Sequence, residues 1–281
     1  MKKKQNIINE RFVEYFRETF FQDSPEELEK LLEALTKPLP KTIRINTTRI
    51  SVEDFKKRAE KYHWILTPTD NPTVFRIDRT NIKMPLGHTL EHLLGYFYIQ
   101  ELSASMSVHY LTKENHAIPS ESLKNDEIRA KIEDRSEPYA RTENEEPQDL
   151  NAKFAFCRDS DTFLILDMAA SPGGKTTQLS EHFPGSIIIA NEPTRDRMAQ
   201  LVQNTQRMGN DRIAITNYDG AHYRNFPETF DRILLDAPCS GEGIGFKESQ
   251  TVKYWNLKNI HTIARLQTKL LDAAFRSLKT G

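Results

Sequence analysis

Residues 163–177 read FLILDMAASPGGKTT, and they carry the clearest indication of the fold class in this sequence. Its first four residues form a wholly apolar run, which is typical of a strand buried on both faces of a parallel sheet. The glycine pair at 173–174 predicts a tight turn into a helix, where free backbone N–H groups can meet a ligand. Because ligands of open parallel sheets bind at the carboxyl ends of the strands, the stretch predicts a ligand-binding α/β domain.

The same pattern continues toward the C-terminus. Further apolar runs predict strands at 187–190, 213–216 and 230–235, and helical patterns occupy 194–208 and about 257–278. Apolar strands that alternate with helices indicate a parallel α/β sheet.

The N-terminal part has a different pattern, with two amphipathic helices followed by a mixture of strands and helices. Ser24 and Glu27 form a capping-box pattern before the second helix, and Ser51 is an N-cap candidate for the third. The segments predicted here are helices at 6–22 and 25–37, a strand at 42–47, a helix at 52–62, strands at 73–77 and 95–100, and a helix at 103–111. They predict a small α+β module.

Acidic residues follow the second, third and fourth predicted strands. Glu192 stands 18 residues after Gly174, Asp219 lies in a Tyr-Asp-Gly turn, and Asp236 ends the fourth strand. A carboxylate at the position of Glu192 can accept both hydroxyls of a ribose. Asp219 is expected at the adenine edge of the same ligand.

Three ligands compete for the glycine turn. A P-loop fits poorly, because Ala169 takes the place of its first glycine although residues 174–176 match, and a dinucleotide fingerprint lacks its spaced glycines. S-adenosylmethionine has no phosphate and needs a close backbone approach together with carboxylates, which this sequence provides. We therefore favour S-adenosylmethionine and keep an ATP-dependent enzyme as the second choice.

Composition narrows the class of protein. The 281 residues carry a net charge of −1, and their apolar runs fall short of the roughly 18–20 residues that a membrane helix needs. Neither a secretory signal nor a disulfide framework is visible, since the only cysteines are Cys157 and Cys239. We expect a cytoplasmic monomer without a metal ion.

An acidic insertion is predicted at about 113–160. Residues 113–150 contain 6 basic and 11 acidic side chains, which leaves a net charge of +4 on the rest of the chain. Its low hydrophobicity favours a solvated segment, and Cys157 beside it has no partner acids or glycines.

These motifs together resemble the Sun-type (Nol/Nop/Sun) RNA cytosine-5 methyltransferases. The resemblance is carried by DMAASPGGKTT at 167–177, the Asn-Glu pair at 191–192, YDG at 218–220, DAPCSGEG at 236–243, IRINTTRISVEDF at 43–55, PLGHTLEHLLGYFYIQELSASM at 85–106 and ARLQTKLLDAAF at 264–275. The N-terminal half is most similar to the bacterial branch that modifies small-subunit ribosomal RNA.

The resemblance implies an α/β fold, with a Rossmann-like class I methyltransferase domain that is incomplete at its C-terminus. A small RRM-like α+β RNA-binding module is expected at 1–95, and the methyltransferase domain at 96–281. The implied cofactor is S-adenosylmethionine, bound by Ala169, Ala170, Ser171, Pro172, Gly173, Gly174, Lys175, Glu192, Asp219 and Asp236. The implied catalytic residues are Cys239, Asp236 and Lys175. Ribosomal RNA is the first expected substrate and tRNA the second.

The chemistry requires a thiolate, because carbon 5 of cytosine becomes nucleophilic only after a thiol adds to carbon 6. In the family, the cysteine of the Pro-Cys turn, here Cys239, assists elimination, while the nucleophile lies in a later Thr-Cys motif. This sequence ends at Gly281, before that motif, so the resemblance implies a truncated chain. Two alternatives stay open: Cys239 is itself the nucleophile, or the chain binds cofactor and RNA without turnover.

Two weaker signals complete the pattern. His88, Glu91 and His92 match the inverted zincin spacing, but no third ligand is identifiable. Aromatic and basic residues also interleave between Phe246 and Lys258, a pattern that can stack bases and contact phosphates.

Overall fold

A computed structural model of the chain describes residues 8–79, 84–112, 162–241 and 255–280. The chain divides into two units, one formed by 1–40 with 238–267 and the other by 41–237 with 268–281. The acidic insertion with Cys157, and the aromatic and basic residues from Phe246 to Tyr254, lie outside the described residues. In the described part of the chain, no helix combines the length and apolar content needed to cross a membrane.

The first unit begins with α1 (Glu10–Phe20) and α2 (Pro25–Ala34). Phe12 is fully buried and contacts the edge of the Trp255 ring at 5.7 Å between ring centroids. Ser24 occupies the N-cap position of α2, as predicted, but its side chain makes no cap hydrogen bond. The capping-box prediction is therefore correct for the start of the helix and wrong for the hydrogen bond. The backbone of Ser24 has ψ 62 instead of the extended value that a capping serine usually has.

The second unit contains a four-stranded antiparallel sheet with strand order β2-β3-β1-β4. Its elements are β1 (Thr42–Ile45), α3 (Val52–Lys61), β2 (Ile65–Pro68), β3 (Val74–Asp78), a 3₁₀ turn (Leu86–His88), α4 (Leu90–Leu93), β4 (Phe97–Ile99) and α5 (Leu102–Thr112). This βαββαβ connectivity confirms the predicted small α+β module. Strand β2 was not predicted.

One face of this sheet forms the core of the module. The strands place apolar side chains against α3 at every second position, because successive side chains of a strand point to opposite faces. The buried members of this core are Ile43, Ile45, Phe55, Ala59, Trp64, Phe75, Ile77, Leu86 and Phe97. Ser51 caps α3 as predicted, since its hydroxyl accepts a hydrogen bond from the N–H of Asp54 at 3.0 Å.

The second unit also contains a parallel sheet with strand order β7-β6-β5-β8. Its elements are β5 (Leu164–Asp167), α6 (Gly174–His182), β6 (Ile187–Asn191), α7 (Arg195–Met208), β7 (Ile213–Thr216), a 3₁₀ segment (Gly220–Asn225) and β8 (Arg232–Leu234). Helix α8 (Leu257–Ser277) belongs to this unit from residue 268 onward and to the first unit before it. The order confirms the predicted parallel α/β sheet. Strand β8 is shorter than the predicted 230–235, so Asp236 lies two residues beyond the strand instead of at its end.

Candidate functional site

The candidate site lies at the carboxyl edge of the parallel sheet. The chain leaves β5 toward β6 and β7 on one side, while β8 pairs with β5 on the other, so the topology switches between β5 and β8. Ligands of open α/β sheets bind at such a switch point. Asp167 at the end of β5 and Asp236 after β8 flank it.

The predicted glycine turn connects β5 to α6 and is held on both sides. The Ala170 N–H donates to the Asn191 carbonyl at 2.8 Å, and the Ser171 hydroxyl donates to the Arg197 carbonyl at 2.9 Å. Gly173 has φ 102, a left-handed conformation that favours glycine. The turn therefore has one defined shape, with Gly174 as the first residue of α6.

Asp167 is the most perturbed group at this edge. Its side chain is fully buried, Oδ2 accepts a hydrogen bond from the Thr176 hydroxyl at 2.7 Å, and Oδ1 has no hydrogen-bond partner among the described residues. Burial raises the pKa of Asp167 to about 6, against the opposing effects of Thr176 and Lys175. A buried acceptor without a donor is costly, so Oδ1 is suited to a cationic or N–H group of a ligand.

Lys175 and Asp236, which the sequence assigned to the site, form an ion pair. The lysine side chain is 16% exposed and the aspartate side chain 58% exposed, so the carboxylate faces solvent while the ammonium group is largely covered. The structure thus brings both predicted residues to the switch point, beside Asp167. The site presents two carboxyl groups and one fixed positive charge.

Glu192 lies directly after β6, as predicted, but it is buried. Its Oε1 accepts a hydrogen bond from the Thr194 N–H at 2.9 Å, and its Oε2 lies 3.6 Å from Nη1 of Arg197. The second distance exceeds that of a normal hydrogen bond, so Oε2 keeps accepting capacity. The Arg197 side chain is about half exposed, whereas the Glu192 side chain is almost fully buried.

Asp219 is exposed and lies after β7. Its Oδ1 accepts the Ala221 N–H at 3.0 Å and so caps the 3₁₀ segment that follows. Beside it, the ring of Tyr218 is exposed and stacks on His222 with 4.9 Å between ring centroids. Sequence reasoning did not single out Tyr218, although its place in the Tyr-Asp-Gly turn is the signal that could have found it.

Asn191 is a second residue whose role the sequence did not reveal. Its amide donates to the carbonyls of Met168 at 3.2 Å and Tyr218 at 3.0 Å, while its Oδ1 accepts from the Tyr218 N–H at 3.0 Å. It therefore ties the loops after β5 and β7 to the end of β6. The asparagine was visible in the Asn-Glu pair, but its contacts depend on loops that are distant in sequence.

The remaining predicted residues are described by their own contacts. Cys239 belongs to the first unit, where its thiol is exposed and not in a disulfide. In the motif of His88 to His92, Glu91 is buried and pairs with Arg58 at 3.2 Å. Burial, together with the positive charge of Arg207, lowers the pKa of His92 to about 4. Within the described ranges, no group of three or more His, Cys, Asp or Glu side chains is arranged to hold a metal ion.

Comparison with known proteins gives matches along almost the whole chain. Residues 156–281 match the model of the 16S rRNA methyltransferase RsmB/F family, and residues 8–102 match that of the N-terminal domain of 16S rRNA methyltransferase RsmF. A ribosomal RNA small subunit methyltransferase F from Photobacterium profundum is 36% identical over 99% of this chain and 49% of its own length. The Vibrio cholerae protein of the same name is 35% identical over 92% of this chain and 46% of its own length.

A solved structure supports the same relationship. A methyltransferase homologue from Pyrococcus horikoshii is 26% identical, with a TM-score of 0.65, over 95% of this chain and 70% of its own. The chain spans about half the length of the curated relatives it matches.

Proposed function

Because this chain belongs to the RsmB/F family of 16S rRNA methyltransferases, we propose that it binds S-adenosylmethionine and methylates carbon 5 of a cytidine in small-subunit ribosomal RNA. The observation that carries the proposal is the charged cluster of Asp167, Lys175 and Asp236 at the switch point of the parallel sheet. Its acids and its lysine suit a ligand that has two cationic groups and one carboxylate.

The residues at the edge fit S-adenosylmethionine one group at a time. The unpaired Oδ1 of Asp167 suits a cationic group, and the remaining capacity of Glu192 suits the ribose hydroxyls. Residues 169–174 would form the turn against which the cofactor lies, and Asp219 would stand at its adenine edge. When bound, S-adenosylmethionine supplies an electrophilic methyl group.

The protein's own groups then supply what the base requires. In this proposal the Asp236 carboxylate accepts a hydrogen bond from the amino group of the target cytosine. Lys175, held by Asp236, supplies a fixed positive charge at the base or at the carboxylate of the cofactor. Such a base would have to leave its stack to reach this edge.

Cys239 follows Asp236 by three residues in the sequence and carries an exposed thiol. We assign it to expulsion of the enzyme from the methylated base, as in the two-cysteine route, with direct addition to carbon 6 as the alternative role. In the same proposal, residues 1–95 contact RNA and residues 96–281 transfer the methyl group. The enzyme acts as a cytoplasmic monomer without a metal ion.

Calorimetry and a transfer assay test the proposal on the 281-residue chain. We expect S-adenosylmethionine to bind and ATP not to bind, and any labelled methyl that is transferred to reach small-subunit ribosomal RNA in preference to tRNA. A chain that binds ATP but not S-adenosylmethionine would overturn the cofactor assignment. Binding without transfer would favour a cofactor- and RNA-binding module.

The role of Cys239 needs a second comparison. Methyl transfer by the unaltered chain that is lost in Cys239→Ala would make Cys239 the nucleophile. The two-cysteine route needs a nucleophile in a Thr-Cys motif, which these 281 residues do not contain, so it predicts neither transfer nor a covalent enzyme–RNA complex from this chain with or without the thiol of Cys239. Ser240→Ala is the matched control, because it changes the neighbouring residue and keeps the thiol.

A further inference from the structure

The antiparallel sheet has a second face that is polar and yet buried. Its side chains alternate with the apolar core residues along β1 and β4, and most are less than a tenth exposed. The buried members of this face are Thr42, Arg44, Asn46, Tyr98 and Gln100. All five belong to the same unit as the parallel sheet, and their hydrogen bonds show what covers them.

Tyr98 reaches the glycine turn directly. Its hydroxyl donates to the Pro172 carbonyl at 3.2 Å, and the same carbonyl accepts the amide of Asn204 from α7 at 2.8 Å. The ring lies so close to the start of α6 that a Cβ on Gly174 would stand 3.1 Å from its Cε1. The close approach of Tyr98 therefore leaves little room for a side chain at residue 174, which the sequence could not show.

Arg44 holds the helix that follows the turn. Its fully buried guanidinium donates to the Thr177 hydroxyl at 2.8 Å and to the Gln100 side chain at 3.0 Å, and it pairs with Glu181 of α6. Gln100 continues the contact by donating to Gln178 at 3.0 Å. Thr177, Gln178 and Glu181 of α6 are thereby fixed to the antiparallel sheet.

Asn46 fixes the other helix in the same way. Its amide donates to the Met208 carbonyl at the end of α7, 2.9 Å away, and to the Gly95 carbonyl at 2.9 Å. Helices α6 and α7 follow the two loops that contain the glycine turn and Glu192. Both are therefore fastened to one sheet face that contributes no residue to the switch point.

We propose that this sheet face is the support that sets the shape of the cofactor turn, and that Tyr98 is its positioning residue, acting through the Pro172 carbonyl. The inference rests on the proposed function and adds that cofactor affinity depends on the antiparallel sheet. It also assigns RNA contacts of the module to its other surfaces, because the face on which an RRM stacks bases is already covered here.

Tyr98→Phe tests the proposal, since it removes one hydrogen bond and keeps the ring. A freed turn binds its ligand less tightly because ordering must then occur on binding, so we expect the Kd for S-adenosylmethionine to rise about three- to tenfold. Tyr96→Phe is the matched control, because Tyr96 lies two residues away against the opposite, apolar core. Circular dichroism checks that both variants are folded.

A double-mutant cycle with Asn204→Ala separates positioning from a general loss of stability. Tyr98 and Asn204 donate to the same carbonyl, so their effects on the Kd should be coupled, whereas Tyr96→Phe and Asn204→Ala should add. In the transfer assay, Tyr98→Phe should raise the KM for S-adenosylmethionine and leave the KM for RNA unchanged.

The outcomes separate the two hypotheses. If the unaltered chain binds S-adenosylmethionine and Tyr98→Phe binds it equally well, the positioning role is wrong and the proposed function stands. Additive effects of Tyr98→Phe and Asn204→Ala would equally overturn it. If the unaltered chain binds no S-adenosylmethionine, the proposed function itself fails.

Discussion

The two sheets of the second unit place their polar residues in opposite ways. In the parallel sheet, β5 and β6 are buried along their whole length by apolar side chains, and polar groups gather where the strands end. In the antiparallel sheet, one face is an apolar core and the other buries Arg44, Asn46 and Tyr98 in hydrogen bonds. The parallel sheet places its polar side chains at the strand ends, where a ligand can bind. The antiparallel sheet uses its polar side chains in hydrogen bonds to the elements packed against it.

The difference follows from topology. Parallel strands joined by helices are covered on both faces, so a polar side chain finds room only at the strand ends. An antiparallel sheet covered by its own helix on one side keeps a second face, which can accept any surface that satisfies its polar groups. The polar edge therefore supplies the site residues, and the buried polar face holds the helices that follow the loops of the site.

The largest expected effect comes from breaking the polar face at Arg44. Arg44→Ala leaves the carboxylate of Glu181 buried without its partner, so we expect a loss of about 3–5 kcal/mol in the free energy of unfolding. Urea unfolding followed by circular dichroism measures it. The double change Arg44→Met with Glu181→Met, which removes both charges and keeps volume, should recover at least half of the loss.

A small effect of Arg44→Ala would contradict the comparison, because it would mean that the polar face is only a loose contact. A double variant as unstable as Arg44→Ala would show instead that the bonds to Thr177 and Gln100 dominate over the ion pair.

The next effect concerns Asp167 at the polar edge and the pH dependence of the free energy of unfolding. The folded chain holds the proton of Asp167 up to about pH 6, whereas an unfolded aspartate loses it near 3.8. Stability from this group is therefore greatest below pH 4 and falls as the pH rises through 6, by about 3 kcal/mol in total. Asp167→Asn should gain stability relative to the unaltered chain over this range, and urea unfolding at pH 4, 5, 6 and 7 checks it.

An exposed aspartate of the same edge is the control for that measurement. Asp219→Asn makes the same change at an exposed side chain and is the matched control. If the two variants show the same pH dependence, the buried state of Asp167 is wrong.

The sequence predicted the parallel sheet better than the antiparallel one. Apolar runs identify strands that are buried on both faces, so 187–190 and 213–216 agree with β6 and β7 to within one residue. Strand β2 was not predicted, because it is largely exposed and contains Pro68. Its sequence therefore lacks the alternation of apolar and polar residues that identifies a strand. Ser51 and Ser24 stand in similar patterns, yet only Ser51 makes its cap bond.

The candidate site was predictable where its residues follow strands and hidden where they face another element. Lys175 and Asp236 each lie in a glycine-containing motif, so both residues could be assigned to the site from the sequence. The structure shows that they form an ion pair. Arg44 and Tyr98 look like ordinary polar positions of an alternating strand, because their partners Glu181 and Pro172 stand 137 and 74 residues away along the chain. The roles assigned to Glu192, Asp219 and Cys239 stay predictions.

A smaller effect in the opposite pH direction is expected from the antiparallel module. Burial keeps His92 neutral, with its pKa lowered to about 4, whereas an unfolded histidine binds a proton near pH 6.5. The unfolded chain therefore binds more protons between these values, and stability falls as the pH drops through this range. Since His92 is only half-buried, we expect about 2 kcal/mol.

His92→Gln should remove this acid sensitivity, measured by urea unfolding between pH 7 and 4. His261→Gln is the matched control, because that histidine is exposed on α8. Equal acid sensitivity in His92→Gln and the unaltered chain would show that the module does not bury its histidine in the neutral form.

The smallest expected change in stability concerns the N-cap residues of α3, beside the antiparallel sheet, and of α7, beside the parallel sheet. The Ser51 hydroxyl caps α3, so Ser51→Ala should cost about 1 kcal/mol in the free energy of unfolding. Thr194 occupies the same position before α7 but makes no side-chain cap bond, and its own N–H donates to Glu192. Thr194→Ala should therefore stay within about 0.5 kcal/mol. A larger loss there would mean that the threonine hydroxyl, rather than Glu192, holds the start of α7, and that Glu192 is freer to bind a ribose than its contacts indicate.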